Sequence, residues 1–305
     1  MTKQIRIRGA LMALALVVAI TLLPGCIFGG KAPVSATDDA GRAITLKAVP
    51  QRIISGAPSN TEVLFALGLG DKLVGVDVSS DYPEAAKSIA KIGDCVSPQT
   101  TNFEQVVALK PDIFFAIKGQ EKIVEELDRL GIPAYIVDSP TLADIISDII
   151  AIGKLTGSEK KAAAVAADMQ ARVDAVAAKV KDLPAEQRPL VFYEVWSEPL
   201  MTAGPGTFVD SLINLAGGTN VAANAKVGSW PEYSLETLIK KDPAVIITTF
   251  GDAASFAARP GWAGIKAVKE QRVLLVDPNL VVRPGPRVVI GLESFAKAIH
   301  PELFK

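Results

Sequence analysis

Residues that could carry covalent or metal chemistry are few in this chain of 305 residues. It has one histidine, His300, and two cysteines, Cys26 and Cys95. Zinc and manganese sites rich in histidine need several such ligands, so the sequence argues against a site of that kind. Two cysteines also exclude a disulfide framework. We expect Cys95 to be a half-buried structural thiol and His300 to be a solvated residue of the C-terminal tail.

A lipid-anchored α/β hydrolase is one alternative function, and it requires a nucleophile, a base and an orienting acid. The sequence contains no G-x-S-x-G motif, and its one histidine follows the last predicted strand. Neither a P-loop nor a dinucleotide fingerprint is present, because GLGDKLVG lacks the required spacing. The sequence therefore predicts a protein that is not an enzyme and has no cofactor. A surface scaffold or adhesion domain is a further alternative that the composition permits.

The composition is that of a folded body. Hydrophobic residues make up 49% of the chain and charged residues 21%, with 32 basic against 33 acidic side chains. A disordered chain has fewer apolar residues and a larger net charge. A net charge of −1 gives no basic face for nucleic acid, so no nucleic-acid partner is expected.

The N-terminus has the pattern of a secretory signal. Residues 9–23 carry no charge and follow a basic start. The segment ends in Leu23-Pro24-Gly25-Cys26, which resembles the lipobox of bacterial-type lipoproteins, where lipid is attached to the cysteine. We predict a signal peptide over 1–25 and a lipidated tether over 26–40, with lipid on Cys26 and the body outside the cytoplasm. An uncleaved anchor helix is the alternative.

Short apolar runs then alternate with helical patterns, which favours a parallel sheet covered on both faces. We interpret residues 41–140 as an N-terminal α/β lobe. The pattern Ser59-Asn60-Thr61-Glu62 predicts a capping box at the start of its first helix. The predicted strands are Arg52–Ser55, Lys72–Val76, Asp112–Ala116 and Ala134–Val137, and the later helices are Phe103–Leu109 and Gln120–Gly131.

Helix-forming residues dominate the next segment, 141–184. Apolar side chains at three- and four-residue steps predict one long helix over 158–183, about 26 residues or roughly 39 Å. Strand and helix patterns resume at the predicted strand Leu190–Val195, so residues 185–305 form a C-terminal α/β lobe. The predicted fold is two Rossmann-like lobes with parallel sheets, joined by a single long α-helix, with a ligand cleft between them.

The two halves also share a local pattern. Glu104 precedes Pro111 by seven residues, and Glu236 precedes Pro243 by the same distance. In each case a short predicted helix leads into a buried strand. We interpret the halves as duplicated lobes.

At these residues the chain resembles the substrate-binding proteins of ABC importers, in the group with a rigid long helix that binds cobalamin, siderophores or haem. The resemblance covers residues 40–305 and is carried by PQRIISGAPSNTEVLFALGLGDKLVGV at 50–76, SSDYP at 79–83, NFEQVVALKPDIFFA at 102–116, MTAGPGTFVDSLINLAGGTN at 201–220, WPEYSLETL at 230–238 and RPGPRVVIGLE at 283–293.

This resemblance implies roles for both glutamates and for several cleft residues. In the family, one carboxylate on each lobe docks onto arginines of the permease, and Glu104 and Glu236 match those positions. The alternative is that both are ordinary first-turn glutamates, favoured by the helix dipole. Ligand contacts are expected in the cleft. Trp230 matches a cleft aromatic of the family, and Arg283 matches a cleft arginine. Weaker candidates are Tyr82, Trp196 and Gly206.

The resemblance further implies capture of cobalamin or a related corrinoid by a monomer, which delivers it to a permease with ATPase subunits. A ferric siderophore or haem is the alternative ligand. Haem needs an axial Tyr, His or Met, and a siderophore favours several cleft arginines, for which Arg283, Arg287 and Arg259 are candidates. The long helix should limit the lobes to small rocking motions.

Overall fold

The computed structural model describes residues 32–223 and 228–304, so the predicted signal peptide 1–25 and Cys26 lie outside the described residues. The described chain begins with an antiparallel hairpin of β1 (Val34–Thr37) and β2 (Ala43–Leu46). The tether predicted through residue 40 therefore ends earlier than expected. The side chains of Asp38 and Asp39 accept backbone hydrogen bonds from residues 136 and 138, which ties this segment to the N-terminal lobe.

The N-terminal lobe is built on one parallel sheet. Its strands are β3 (Ile53–Ser55), β4 (Leu73–Val76), β5 (Ile113–Ile117) and β6 (Ala134–Val137), and its helices are α1 (Pro58–Ala66), α2 (Phe103–Ala108) and α3 (Glu121–Arg129). The strand order is β4-β3-β5-β6. Nearly all strand residues are buried, as expected for a sheet covered on both faces. The predicted elements are confirmed with small shifts at their ends, except at α1.

The predicted capping box at the start of α1 is wrong. The helix begins at Pro58, and its N-cap residue Ala57 provides no side-chain hydrogen bond. Glu62 does not reach back to the helix start, because its carboxylate instead binds two arginines of the C-terminal lobe. Charge-assisted hydrogen bonds to guanidinium groups are stronger than a neutral cap, so the distant partners determine where this side chain lies.

The segment between the lobes contains the predicted long helix and a second, shorter helix before it. Helix α4 (Leu142–Thr156) precedes α5 (Glu159–Val180), which is the predicted long helix, shortened at both ends. The chain turns at Gly157, whose φ is +67°. The two helices approach closely, since a Cβ atom on Gly153 would lie 2.3 Å from that of Ala162. No helix in the described ranges is both long and apolar enough to cross a membrane.

The C-terminal lobe contains the second sheet. Its strands are β7 (Leu190–Ser197), β8 (Leu200–Thr202), β9 (Thr219–Asn220), β10 (Val245–Thr248) and β11 (Val273–Leu275). Its helices are α6 (Phe208–Leu215), α7 (Leu235–Lys241), α8 (Ala253–Ala258), α9 (Lys266–Lys269) and α10 (Val288–Ile299). The order is β11-β10-β7-β8, and β9 pairs with the start of β7. All pairs are parallel, as predicted, except that β8 adds one antiparallel pair with β7.

The two sheets share one topology once β8 is set aside. The order β9-β7-β10-β11 corresponds to β4-β3-β5-β6. The helices before β5 and β10 also correspond: each begins with a side-chain cap, from Asn102 or Ser234, and each is followed by a residue with positive φ, Lys110 at 47° or Asp242 at 48°. This agreement supports the interpretation of duplicated lobes. The exact lobe boundaries stay predictions.

A pair of acidic side chains lies where the hairpin meets the N-terminal lobe. Asp148 of α4 is 7% exposed and accepts a hydrogen bond from the Ser139 hydroxyl. Burial raises the pKa of Asp148 to about 7, and the neighbouring charge of Asp39 adds to the shift. Burial also raises the pKa of Asp39. The folded chain therefore binds a proton at Asp148 more tightly than the unfolded chain does.

This shift predicts a pH dependence of stability. Because the folded pKa of Asp148 exceeds its ordinary value of 3.8, the free energy of unfolding should fall as pH rises from there to about 7. Asp148→Asn should remove this component, and we expect it to be more stable than the wild type at pH 8. Urea unfolding at pH 5 and pH 8 measures this, with Asp174→Asn on the exposed face of α5 as control. Equal pH slopes for wild type and Asp148→Asn would contradict it.

Candidate functional site

Three neighbouring cavities lie at the carboxyl ends of the strands in both sheets, where α/β proteins bind ligands. The apolar cavity, of about 610 Å³, lies in the C-terminal lobe. The central cavity, of about 380 Å³, shares Val282 and Pro284 with it. The N-terminal cavity, of about 350 Å³, shares Ala57 and Ile117 with the central one. Together they form the candidate cleft.

The apolar cavity contains most of the aromatic surface of the cleft. Alternate residues of β7, Tyr193 and Val195, face it from the same side of the strand, as the period of two requires. Trp230, predicted from the resemblance, lies at its wall and is 46% exposed. The remaining lining residues are Met201, Phe208, Val209, Thr249, Pro278, Val281, Val282 and Pro284. Such a wall suits a large, flat, largely apolar ligand surface.

The central cavity is built by both lobes. Loops after β3, β5 and β6 supply one wall, and the segment 282–284 of the C-terminal lobe supplies the other. Lys118 lies in this wall, and its ammonium nitrogen is 2.6 Å from a carboxylate oxygen of Asp138. A ligand in this cavity would contact both lobes at once.

Arg283 reaches the central cavity, as predicted, but its guanidinium is already paired. Its Nη1 lies 2.6 Å from an oxygen of Asp81 and 3.5 Å from an oxygen of Glu62, and Nη2 donates to the carbonyl of Ser79 at 3.3 Å. The Arg283 guanidinium holds the pKa of Asp81 below its usual range. Arg283 therefore joins the C-terminal lobe to the N-terminal lobe.

Arg287 makes a second contact between the lobes, since its Nε and Nη2 donate to the two oxygens of Glu62 at 2.8 and 2.6 Å. We call the four residues Glu62, Asp81, Arg283 and Arg287 the interlobe ion cluster. The Glu62 side chain is 2% exposed. The guanidinium also stacks on the ring of Tyr82, 3.7 Å from its centroid. Tyr82, predicted as a weak ligand contact, thus supports the ion cluster.

The structure places the other two predicted ligand contacts outside the walls of the three cavities. Trp196 is 57% exposed, and its indole nitrogen donates to the carbonyl of Glu198. The amide of Gly206 donates to the carboxylate of Asp210 at 3.0 Å, so it is not free for a ligand. Both residues stay predictions that the described geometry does not favour.

The two glutamates occupy equivalent positions. Glu104 and Glu236 are exposed in the first turns of α2 and α7. Residues just before α2 pair with the segment 91–93, which itself runs beside the end of β4, and residues just before α7 pair with β8 beside the end of β7. Both first turns therefore lie at the carboxyl edges of their sheets, as the cleft does. One turn later each helix exposes an aliphatic side chain, Val107 or Ile239. Their role in docking stays a prediction.

The remaining reactive residues are structural. Cys95 is more deeply buried than expected, at 1% exposure, and burial raises the pKa of its thiol to about 12. His300 is not solvated: it is 3% exposed, with Nε2 3.1 Å from the carbonyl of Gly217, because the last helix packs against the turn after α6. Across residues 32–223 and 228–304, no group of three His, Cys, Asp or Glu side chains could hold a metal.

Sequence reasoning missed several site residues, and three of them matter most: Tyr193, Met201 and Glu62. Tyr193 and Met201 belong to the apolar cavity, and the alternating pattern of β7 could have placed Tyr193 on the cleft face. The role of Glu62 was assigned to a helix cap. The sequence contains a signal for this role, namely four consecutive polar residues at the start of α1. The structure buries all four, and a buried carboxylate needs cationic partners.

Two α/β lobes of one topology, with a cavity-lined cleft at the carboxyl ends of their strands, define a two-lobe ligand-binding protein. Residues 53–280 match the family described as Periplasmic binding protein, and the chain belongs to that family.

Three relatives illustrate its range. An uncharacterized ABC transporter substrate-binding lipoprotein of Bacillus subtilis is 36% identical over 90% of this chain and 87% of its own length. A cobalamin-binding protein of Halobacterium salinarum is 33% identical over 88% of this chain and 74% of its own. The solved structure of a periplasmic heme-binding protein from Roseiflexus has a TM-score of 0.72 at 26% identity, covering 82% of this chain and 98% of that one.

The interlobe ion cluster generates a stability prediction. Arg287→Met leaves the buried Glu62 carboxylate without its bidentate partner, so the free energy of unfolding should fall by about 3 to 5 kcal/mol. Arg172→Met is the matched control, because Arg172 binds Glu293 with equally short bonds but the two side chains are 33% and 42% exposed. The control should lose about 1 kcal/mol or less.

Urea unfolding measures both variants, and Glu62→Gln combined with Arg287→Met should recover part of the loss, since no lone buried carboxylate remains. Equal losses for Arg287→Met and Arg172→Met would show that the Glu62 pair contributes no more than a surface pair.

Proposed function

We propose that this protein is the extracytoplasmic substrate-binding component of an ABC importer and that its ligand is cobalamin or a related corrinoid. Membership in the periplasmic binding protein family supports the first part, as does the name of the Bacillus relative. The protein captures its ligand in the cleft and delivers it to a permease, whose ATPase subunits supply the energy for transport.

The observation that carries the ligand assignment is the apolar cavity. Its volume of about 610 Å³ and its wall of Trp230, Tyr193 and Phe208 suit the face of a corrin ring. The adjoining central cavity offers polar loops for the amide side chains at the ring edge. The cobalamin-binding relative from Halobacterium supports the same assignment.

Haem is the main alternative, because the cavity presents two residue types that can ligate haem iron, Tyr193 and Met201. The Roseiflexus structure supports this alternative. Ligation by Tyr193 would require the phenolate, however, and burial raises the pKa of Tyr193, which favours the neutral phenol. The corrinoid assignment does not need that ionisation.

A ferric siderophore is a weaker alternative. The three arginines that could bind an anionic chelate are all engaged with carboxylates. Arg283 and Arg287 belong to the interlobe ion cluster, and Arg259 binds the buried carboxylate of Glu194 while stacking on Phe256.

Location and release follow from the same proposal. Lipid on Cys26, after removal of residues 1–25, holds the body at the outer face of the cytoplasmic membrane as a monomer. The interlobe ion cluster and the α4 and α5 pair restrict lobe movement, because opening must break buried ion pairs or bend packed helices. The permease therefore has to pull the lobes apart, and Glu104 and Glu236 are the contacts through which it does so.

Calorimetric titration of the purified protein with cyanocobalamin, cobinamide, haemin and a ferric hydroxamate tests the ligand. We expect cyanocobalamin or cobinamide to bind most tightly. Trp230→Ala should weaken that binding by about tenfold to a hundredfold, since it removes a stacking face. Trp196→Ala is the comparison: Trp196 lies outside the cavity walls, so this variant should bind as the wild type does, and that result would remove Trp196 from the predicted ligand contacts. Preferential binding of haemin or of the hydroxamate would overturn the corrinoid assignment.

Uptake of radiolabelled cyanocobalamin by cells of the organism that makes this protein tests the role of Glu104 and Glu236 in docking to the permease. In cells whose own gene is deleted, Glu104→Lys combined with Glu236→Lys should abolish uptake, because both contacts with permease arginines become repulsive. Purified double variant should keep the ligand affinity of the wild type. Glu125→Lys, a single Glu-to-Lys reversal at an exposed position of α3, is the control and should restore uptake. Normal uptake by the double variant would refute docking through these glutamates.

A further inference from the structure

The cationic side chains that line the three cleft cavities in the described part of the chain are Lys118 and Arg283, and each is paired. Lys118 lies 2.6 Å from Asp138, and Arg283 lies 2.6 Å from Asp81. These pairs cancel the positive charge at the point where the cavities meet. An incoming anion finds no guanidinium or ammonium group that lacks a carboxylate partner there.

Carboxylates also line the N-terminal cavity. Asp77 and Asp94 both belong to its wall. Asp77 accepts hydrogen bonds from the backbone amides of Ser79 and Cys95, at 2.7 and 2.9 Å, which hold its oxygens in place without adding a formal positive charge. The cleft as a whole is therefore neutral to acidic.

Given the proposed cleft site, we infer that this charge compensation makes the cleft selective for ligands without net negative charge, and that Glu62 and Asp81 are its specificity-determining residues. They occupy the arginines of the C-terminal lobe that would otherwise attract a carboxylate or phosphate. A neutral ligand whose periphery consists of amides loses no binding free energy to charge repulsion in such a cleft. A carboxylate must either displace Asp81 from Arg283 or lie beside acidic groups, and both options weaken its binding.

The two carboxylates allow separate tests because their environments differ. Asp81 has a side chain that is 50% exposed, so replacing it should leave the fold intact. Glu62 is buried and bound to Arg287 through both oxygens, so its replacement affects stability as well. Asp81→Asn is therefore the principal variant, Glu62→Gln the second, and Asp81→Glu the conservative variant that restores the charge.

The experiment uses two matched ligand pairs. Cyanocobalamin and its monocarboxylic acid differ by one amide converted to a carboxylate, and haemin dimethyl ester and haemin differ by two carboxylates. Binding of all four to the purified wild type and variants is measured by absorbance titration. The readout is the ratio of affinities within each pair. Asp174→Asn, the same charge change on the exposed face of α5, is the control.

The wild type should prefer the neutral member of at least one pair. Asp81→Asn should improve binding of the carboxylated member relative to the neutral one by about tenfold, because Arg283 loses its shortest carboxylate contact and keeps only the longer ones with Glu62 and the Ser79 carbonyl. Asp81→Glu and Asp174→Asn should keep the wild-type ratio. The same shift in Glu62→Gln would place the effect in the cluster rather than in Asp81 alone.

An Asp81→Asn protein that binds the carboxylated ligands no better than the wild type, or that binds none of the four ligands, overturns the inference. This outcome is distinct from failure of the proposed function. If the variant gains affinity for haemin while the wild type does not bind cyanocobalamin, the selectivity inference stands and the corrinoid assignment alone is lost.

Discussion

One buried carboxylate constrains how the two lobes meet. Glu62 lies on the first helix of the N-terminal lobe with a side chain that is 2% exposed, and an ionised carboxylate is unstable there without cationic partners. Both partners, Arg283 and Arg287, come from the loop before α10 of the C-terminal lobe. The lobes therefore have one favoured spacing, in which these groups are satisfied. The width of the neighbouring cleft depends on that spacing.

The same loop forms part of the cleft. Val282 and Pro284 lie in the walls of the apolar and central cavities, while the two arginines of segment 282–287 extend into the N-terminal lobe. Ligand contact and lobe contact thus belong to adjacent residues of one short segment. A molecule that enters the cleft must accommodate a wall whose position is already set by the ion cluster. Pre-organisation of this kind lowers the conformational cost of binding.

Local signals predicted the order of helices and strands, and the repeat of Glu104 and Glu236 before proline predicted two equivalent helices. Trp230, which the resemblance assigns to the cleft, lies at the wall of the apolar cavity, and its contact with a ligand stays a prediction. Interactions between distant parts of the chain were not predictable in this way, because Glu62 and Arg287 are 225 residues apart. The local pattern at α1 therefore indicated a cap, and the pairing that occupies Arg283 was missed. The connector 141–184 was predicted to be helical, but α4 was not predicted as a separate helix before the long one.

The added strand β8 has no counterpart among the described strands of the N-terminal sheet. It runs antiparallel beside the end of β7 and brings Met201 to the apolar cavity. The two sides of the cleft therefore differ, although the lobes share one topology: one side is aromatic and aliphatic, and the other is formed by loops that mix small apolar residues with charged and hydroxyl side chains. For the flat corrinoid proposed above, whose two faces differ, such unlike walls favour one orientation of the ring in the cleft.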